Sequence, residues 1–516
     1  MNNRQFLRYI VTLLIMIFWI SKPIELIWDD ELLIGLNPWT NDPRNILNIW
    51  HWTLWQDIPG EHASHWYRPL MALHLILDQQ LFNDALLPRQ ILSFGWFLGM
   101  STLVWKYLGR WKLSPIGRQL GFLVFVFHPF QLELIHFLAA RNDMMVIIFS
   151  LSGILVQGKL SKLVFFLLAF LSKENAVILI PCLIGGEYLN QKEWKRTSVV
   201  FTLAALIYFS WKLNLDLPSY IPEAENLFHI TGQVLRNIFF PWDTATAGFA
   251  YESISVFSWL LLIPLLYIKH WAQDQRLYFF ALSFVLIFLM LGGLASISSH
   301  SFSYRYATLP LLGLSLLLGN LPFERLHRAK QQVAFVSIAG FLLLGFQNTN
   351  SQWQDSTSLW TFAHQRSPSA QSACGLFMQV KETPAIALPL LAEAITTKPV
   401  AQHCCFHGTQ YALNNSTPVN AIELGNKALT QGCLASPEII APIAISSALI
   451  GNWKQAKTIA DDLQSDPYGY STVVLVAEGL RRGDLTVLEF WSKGDAESEV
   501  KLRAKAEKLL GMSVEK

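Results

Sequence analysis

Before residue 347 the chain is a ladder of apolar runs, about eleven in all. They fall at 6–28, 89–108, 119–138, 143–157, 163–172, 175–189, 197–213, 254–268, 277–297, 307–321 and 332–346. A helix of about 20 apolar residues crosses a bilayer. In lipid only helices and closed barrels satisfy their own backbone. The expected fold is therefore all-α: a polytopic membrane bundle of about 11 transmembrane helices with a polar helical appendage. Only 15% of the residues are charged, too few for a soluble protein of 516 residues. The first 28 residues lack a small-residue cleavage site and read as an uncleaved membrane helix rather than a signal peptide.

The turns between runs alternate in charge. Arg4 and Arg8, Arg110, Lys112 and Arg118, Lys159 and Lys162, Lys192, Lys195 and Arg196, Lys269 and Arg276, and Arg325, Arg328 and Lys330 mark one side. The positive-inside rule assigns that side to the cytoplasm. The long segments 29–88 and 214–253, and everything after 346, fall on the outward side. An odd number of spans fits an N-terminus inside and a C-terminal domain outside. The expected location is a bacterial inner membrane with a periplasmic C-terminal domain, or the endoplasmic reticulum lumen in a eukaryote. Membrane lipids are expected contacts and nucleic acid is not. Cys374, Cys404, Cys405 and Cys433 lie in the outward part, where an oxidising compartment permits disulfides. Buried free thiols are the alternative.

Composition changes near Gln347, giving an expected membrane domain at 1–346 and an extracytoplasmic helical domain at 347–516. A repeat is visible in the second part. Ala387, Ala421 and Ala456 open similar stretches at spacings of 34 and 35 residues, and Ala394 and Ala428 recur seven residues into the first two. A period near 34 with small packing positions and terminal proline looks like tetratricopeptide repeats. Another helical solenoid is the alternative. Either would present a concave surface to a partner.

Polar clusters interrupt the apolar runs. Trp28-Asp29-Asp30-Glu31 ends the first run, where membrane meets water. Acids there are not placed for burial, because an unpaired buried carboxylate is costly. Ser64-His65-Trp66-Tyr67-Arg68-Pro69 lies in the first outward segment. His128-Pro129 leads through Glu133 to Arg141-Asn142-Asp143, Ser172-Lys173-Glu174-Asn175 follows, and Tyr304-Arg305-Tyr306 opens the tenth run. The Lys173 cluster is the sharpest. The apolar stretch before it, Leu163–Leu171, has nine residues and reaches about 14 Å, roughly half the hydrocarbon core. Lys173 and Glu174 then sit at depth, where a broken helix must line a cavity or be buried in protein. Cations at that depth suit the phosphate of a polyprenyl carrier, and Arg68, Arg141, Lys173 and Arg305 are the candidates. An internal Lys173–Glu174 pair, or a helix that begins earlier, is the competing reading. His62 and His65 lack the further ligands of a zinc site. No P-loop, dinucleotide fingerprint or hydrolase elbow is present.

Taken in order, Asp29-Asp30-Glu31 with Asn37-Pro38, the stretch Trp50–Gly60, Ser64–Leu70 (S-H-W-Y-R-P-L), His128-Pro129…Arg141-Asn142-Asp143, Ser172-Lys173-Glu174, Arg305-Tyr306 and Gln352-Trp353-Gln354-Asp355…Pro368 resemble the transmembrane and tetratricopeptide-repeat-containing O-mannosyltransferases. The resemblance spans most of the chain and implies the GT-C fold. It implies transfer of a sugar from a polyprenyl or dolichyl phosphate on the outward face, usually with inversion. The family's catalytic or metal-assisting acid in the first outward loop maps to Asp29 or Asp30. A divalent metal on one of these acids is thereby allowed. Tyr67, His65, His128 and Glu174 take supporting places. The chain departs from the family pattern at Gln131, where a second histidine is usual, and at Ala140–Asp143, where Gly-Arg-Ala-Asp is usual. The expected acceptor is a protein or glycan docking on the repeat domain. A transporter for lipid-linked sugars and a non-catalytic repeat scaffold are the alternatives from other classes.

Overall fold

The computed structural model describes residues 3–514 except 22, 24, 28–29, 31–32, 35–36, 52, 54–65, 84, 191, 214–226, 241–257, 299–302, 367, 398–399, 434, 464–468, 485 and 487–495. Regular structure among the described residues is helical throughout, with no strand. The chain divides into two compact units, residues 1–366 and 367–516. Residue 347, where composition changes, lies inside a helix that runs from Arg328 to Gln352.

The first unit opens with α1 (Asn3–Ser21), α2 (Pro69–Phe82), α3 (Leu86–Leu108), α4 (Pro115–Phe127) and the short α5 (Gln131–His136). Next come α6 (Arg141–Leu155), α7 (Lys159–Ser172), α8 (Ala176–Leu189), α9 (Trp194–Lys212), α10 (Leu227–Phe239) and α11 (Leu262–Tyr267). The unit closes with α12 (Gln275–Ser298), α13 (Thr308–Gly319), α14 (Arg328–Gln352) and α15 (Ser356–Arg366). One continuous core of Leu, Ile, Val and Phe side chains joins them.

Four described stretches are long and apolar enough to cross a bilayer: Leu138–Leu155, Gln275–Leu294, Tyr304–Arg325 and Ala329–Gln352. They fit a membrane protein. The sequence led us to expect about eleven, and the shortfall has physical causes. The helices α4, α7 and α8 hold 13, 14 and 14 residues. At 1.5 Å per residue they reach about 20 Å, short of a 30 Å core. The 23-residue α3 is long enough but buries Arg89, Gln90, Ser93 and Ser101. The 254–268 run is divided: part lies outside the described residues, and the rest is a 3-10 turn at Ser258–Leu261 followed by the six-residue α11.

The helix α7 begins at Lys159, before the apolar stretch that marks it in the sequence. Lys162 is the reason it holds there. Its side chain is buried, and Nζ donates to the Gly153 and Ile154 carbonyls at 3.0 and 3.3 Å. Those carbonyls end α6, where the helix dipole is negative. Small residues set the approach of α4 to α13. A Cβ on Gly121 would stand 2.3 Å from the Ser315 carbonyl oxygen, and one on Gly117 2.3 Å from that of Gly319. Gly117 and Gly121 are four apart, as are Ser315 and Gly319, so each pair forms one small-residue stripe.

The second unit is a run of paired helices. It comprises α16 (Ala370–Val380), α17 (Pro384–Thr396), α18 (Gln402–Asn415), α19 (Pro418–Gln431), α20 (Pro437–Leu449), α21 (Trp453–Leu463), α22 (Tyr470–Arg481) and α23 (Ala496–Val514). The starts of α17, α19 and α21 are spaced 34 and 35 residues apart (384, 418, 453). Ala387, Ala421 and Ala456 occupy fully buried positions in these three helices, as do Ala394 and Ala428 in the first two. A larger side chain there would push neighbouring helices apart. The second helices of successive pairs, α18, α20 and α22, also pack on one another. Two disulfides staple α18. Cys374 pairs with Cys404 and Cys405 with Cys433, at Cα–Cα distances of 5.7 and 5.8 Å.

Gly121→Ala tests the α4–α13 contact. The added methyl meets backbone, which cannot swing aside, so folded yield and melting temperature in detergent should both fall. Gly95→Ala, whose Cβ meets nothing within 4 Å, should leave both unchanged. Equal behaviour of the two variants would show that the close approach is not required.

Candidate functional site

The break between α7 and α8 is the centre of the site. Lys173 caps α7 in extended backbone, φ −163° and ψ 143°. Extended geometry sends neighbouring side chains to opposite sides. Lys173 and Glu174 therefore do not pair with each other. Lys173 Nζ donates to Asp143 Oδ1 at 2.5 Å, on the first turn of α6. Glu174 receives a bidentate fork from Arg68, Nε at 3.1 Å and Nη2 at 2.6 Å. Arg68 is placed by Pro69, which starts α2 and holds the preceding residue out of the helix. Its guanidinium also lies over the Trp66 ring at 4.8 Å.

Arg305 reaches the same cluster from the turn at Tyr304–Ala307. That turn is tied down by Glu133 on α5. The Glu133 carboxylate accepts the Tyr304 N–H at 2.7 Å and the Ser303 hydroxyl. The Tyr304 ring stacks on Phe130 with centroids 4.3 Å apart. Arg305 then stands 3.6 Å from Glu133 and 3.9 Å from Asp143, and packs over Phe137. Arg68, Glu174, Asp143 and Arg305 all act electrostatically on Lys173. Three of the four predicted phosphate-binding cations, Arg68, Lys173 and Arg305, thus converge from segments more than 100 residues apart.

Arg141 does not join them. It is fully buried in a separate network, where Nε donates to Ser93 at 2.6 Å and Nη2 to the Arg89 carbonyl at 2.6 Å. Its Nη1 donates to Asp78, whose other oxygen faces His74 Nδ1 at 3.3 Å. His74 in turn accepts the Trp96 indole N–H at 2.8 Å. Every nitrogen of Arg141 is engaged, so this arginine ties α2, α3 and α6 together and has no face for a phosphate.

The acid pair divides. Asp29 lies outside the described residues, and so does His65. Asp30 is 1% exposed and its two oxygens accept the N–H groups of Leu138 and Ala139 at 2.8 and 2.7 Å. It caps the 3-10 turn Leu138–Ala140 that leads into α6. The expectation that both acids face water fails for Asp30, because backbone donors supply the partners that water would have supplied. His128 is also occupied: its Nε2 contacts the Ile238 carbonyl at 2.9 Å and its Nδ1 accepts from Phe130 at 3.3 Å.

An apolar groove of about 690 Å³ adjoins the cluster. Trp50, Leu167, Leu171, Leu206, Ile207, Tyr208, Ser210 and Trp211 line it, between α7 and α9. Tyr67 is buried beside it, its hydroxyl accepting the Trp211 indole N–H at 3.0 Å. Tyr208 feels both Glu174 and Arg68 electrostatically, so the groove's wall reaches the charged cluster.

Over 186 residues the chain is 24% identical to the protein O-mannosyl-transferase F38B6.6 of Caenorhabditis elegans. The match covers 34% of this chain and 27% of that protein, so the chain spans about a quarter of the relative's length. No family model matches the chain, and no solved structure matches it. The likeness is distant and partial, and it is to an O-mannosyl-transferase.

Asp143 and Glu133 carry no assigned role in the sequence reading. Their signal is that each is a carboxylate within an apolar run, which requires a donor or cation nearby. The contrast with Arg141 is testable. Arg141→Met leaves Asp78 buried without its arginine, at a cost of about 3–5 kcal/mol. Melting temperature should drop sharply, and adding Asp78→Asn should restore part of it. Unchanged melting of Arg141→Met, or no rescue by Asp78→Asn, would show that Arg141 is not held as the structural partner of Asp78.

Proposed function

We propose that this protein is an integral-membrane glycosyltransferase of GT-C type. It takes a sugar from a polyprenyl-phosphate carrier and transfers it to an extracytoplasmic acceptor, a protein hydroxyl in O-glycosylation. The observation that carries this reading is the convergence of Arg68, Lys173 and Arg305 near an apolar groove whose Tyr208 is within electrostatic reach of Arg68 and Glu174. A lipid phosphate has that same division into an anionic head and an apolar tail. The distant likeness to an O-mannosyl-transferase supports the reading independently.

The reaction is a direct displacement. The acceptor oxygen forms a bond to the anomeric carbon, and the bond from that carbon to the carrier phosphate breaks. The phosphate leaves with the electron pair and is neutralised by the cations, which are fixed in place before reaction. The acceptor's proton passes to a carboxylate, assigned here to Asp29. Asp30, bound to backbone, is a structural residue in this reading. The second unit, with its helix pairs at 34- and 35-residue spacing, is the acceptor-docking domain and is tetratricopeptide-like. Its two disulfides suit an oxidising compartment, the periplasm or a secretory lumen.

Transfer from radiolabelled polyprenyl-phosphate mannose by the reconstituted protein tests the chemistry. Asp29→Asn should lower the rate on the order of 10²-fold or more with melting unchanged. Asp30→Asn should instead lower the melting temperature. Lys173→Ala should weaken carrier affinity, whereas the exposed Lys159→Ala should not. Lys162 is unsuitable as that control because it caps α6. Carrier binding without any transfer would favour a transporter, and neither binding nor transfer would favour a scaffold.

Sidedness is tested separately. A cysteine introduced at exposed Lys381, in a variant whose Cys182 is replaced by serine, should react with a membrane-impermeant maleimide in intact cells. Labelling only after the membrane is broken would place the second unit inside and overturn the topology.

A further inference from the structure

A second pocket, of about 10 Å³ and so with room for about one water-sized group, is lined by Asp143, the partner of Lys173. Asp143, Asn175, Arg305 and Thr308 supply its polar lining, and Phe288 and Leu291 part of its apolar wall. Two of its polar atoms, Asp143 Oδ2 and Thr308 Oγ1, are buried and make no hydrogen bond. Asp143 is 6% exposed and Thr308 1%. The other Asp143 oxygen holds Lys173 at 2.5 Å. Arg305 Nε stands 3.9 Å from Oδ2, beyond hydrogen-bonding distance. Oδ2 thus has Arg305 as an ion-pair neighbour but no hydrogen-bond donor, and Thr308 Oγ1 has no hydrogen-bond partner; buried polar atoms left without hydrogen bonds are costly, so a small hydrogen-bonding group is called for.

The chemistry of that partner is constrained. A second anion is excluded, since it would face the Asp143 carboxylate. A cation has no acceptor beyond that one carboxylate oxygen and neutral Thr308 and Asn175. A hydroxyl satisfies both orphan atoms at once, donating to Asp143 Oδ2 and accepting from Thr308 Oγ1. Asp143 itself links the cluster and the pocket: one oxygen holds a phosphate-binding lysine and the other faces this pocket.

We propose that the Asp143–Thr308 pocket recognises a hydroxyl of the donor sugar and so sets which sugar the enzyme accepts. This rests on the carrier reading above and adds to it a specificity determinant. The sugar's phosphate lies on Lys173 and Arg68, and one ring hydroxyl enters the pocket at Asp143. Thr308 is the residue to vary, because Asp143 also holds Lys173 and its replacement would disturb both functions.

The test compares affinities for lipids with and without sugar, using the full chain in nanodiscs and native mass spectrometry. The probes are undecaprenyl phosphate and its mannosyl and glucosyl esters. Wild type should bind at least one glycosyl lipid more tightly than the bare phosphate. Thr308→Val keeps shape and removes the hydroxyl. It should weaken the preferred glycosyl lipid about threefold to tenfold while leaving the bare lipid unchanged. Thr308→Ser should behave as wild type, and Lys173→Ala should weaken bare and glycosyl lipids alike. Unchanged binding of the bare lipid also shows that Thr308→Val is folded. If Thr308→Val leaves the preference intact, the pocket holds structural water and the proposal falls while the carrier reading stands. If wild type binds the bare lipid with no added affinity for either sugar, the proposal falls in the same way. If wild type binds none of the three, the carrier reading falls and takes the sugar pocket with it.

Discussion

Lys173 sits 4% exposed at a broken helix, and Asp143 is what makes that position tenable. A buried ammonium without a counter-charge is costly, and breaking such a pair leaves the surviving charge unpaired. The same constraint repeats around it. Arg68 requires Glu174, and the turn bearing Arg305 is tied down by Glu133. Each pairing joins segments that the chain separates widely. Together they fix α2, α5, α6, the α7–α8 break and the Tyr304 turn to one another. Apolar packing alone would leave such helix ends free to slide. The directional bonds of these carboxylates are what set their register.

Helix length decides where this polar layer falls. The helix α7 has a lysine at each end, and the two do opposite jobs. Lys162 donates to the carbonyl end of α6, while Lys173 meets the acid on its first turn. Because α7 and α6 run alongside each other, both lysines find a complementary charge without leaving the helix pair. Fourteen residues reach about 21 Å, short of a 30 Å hydrocarbon core. At membrane depth such a break would have to be sheltered by protein or line a cavity. Here it does both. An apolar groove adjoins the Arg68 side and a polar pocket adjoins the Asp143 side.

Much of this was legible in the sequence, and the remainder had physical reasons to stay hidden. An apolar stretch too short to span gave away the break before Lys173. The recurrence of small residues near every 34 positions marked the helix starts at Pro384, Pro418 and Trp453. Partner identity was not legible. Adjacency suggested Lys173 with Glu174, but extended backbone at Lys173 turns the two apart and each takes a partner 30 or 106 positions away. Arg141 and Arg68 look alike as cations in polar clusters. What separates them is Asp78, one turn past His74 on α2, which claims Arg141 from within the core. Asp30 misled for a related reason. A carboxylate at the end of an apolar run reads as facing water, yet two consecutive backbone N–H groups satisfy it as well. Among the described residues only four stretches are long and apolar enough to span, fewer than the apolar runs suggest, because hydropathy registers apolar stretches without their lengths as helices. Short helices buried against neighbours score much like longer ones facing lipid.

The charges in the cluster balance, and that bears on how an anion would enter it. Arg68, Lys173 and Arg305 stand among Glu174, Asp143 and Glu133, three cations with three carboxylates. Under the proposed function a carrier phosphate would not meet bare positive charge; it would compete with carboxylates already in place. That lowers the gain on binding compared with an unpaired cluster of cations. In exchange, the cations are held in position before the phosphate arrives, so little reorganisation accompanies charge development on the leaving group. The carboxylates differ in how readily they would yield. Glu133 and Asp30 are committed to backbone N–H groups and cannot move without unfolding a turn. Glu174 has a side chain 31% exposed and binds only Arg68 among the cluster's cations by hydrogen bonds. It is the partner an incoming phosphate can displace at least cost, since water can take its place around the carboxylate. On that argument Arg68 is the exchangeable cation of the site, whereas Lys173, locked to a buried Asp143, serves as its fixed electrostatic anchor.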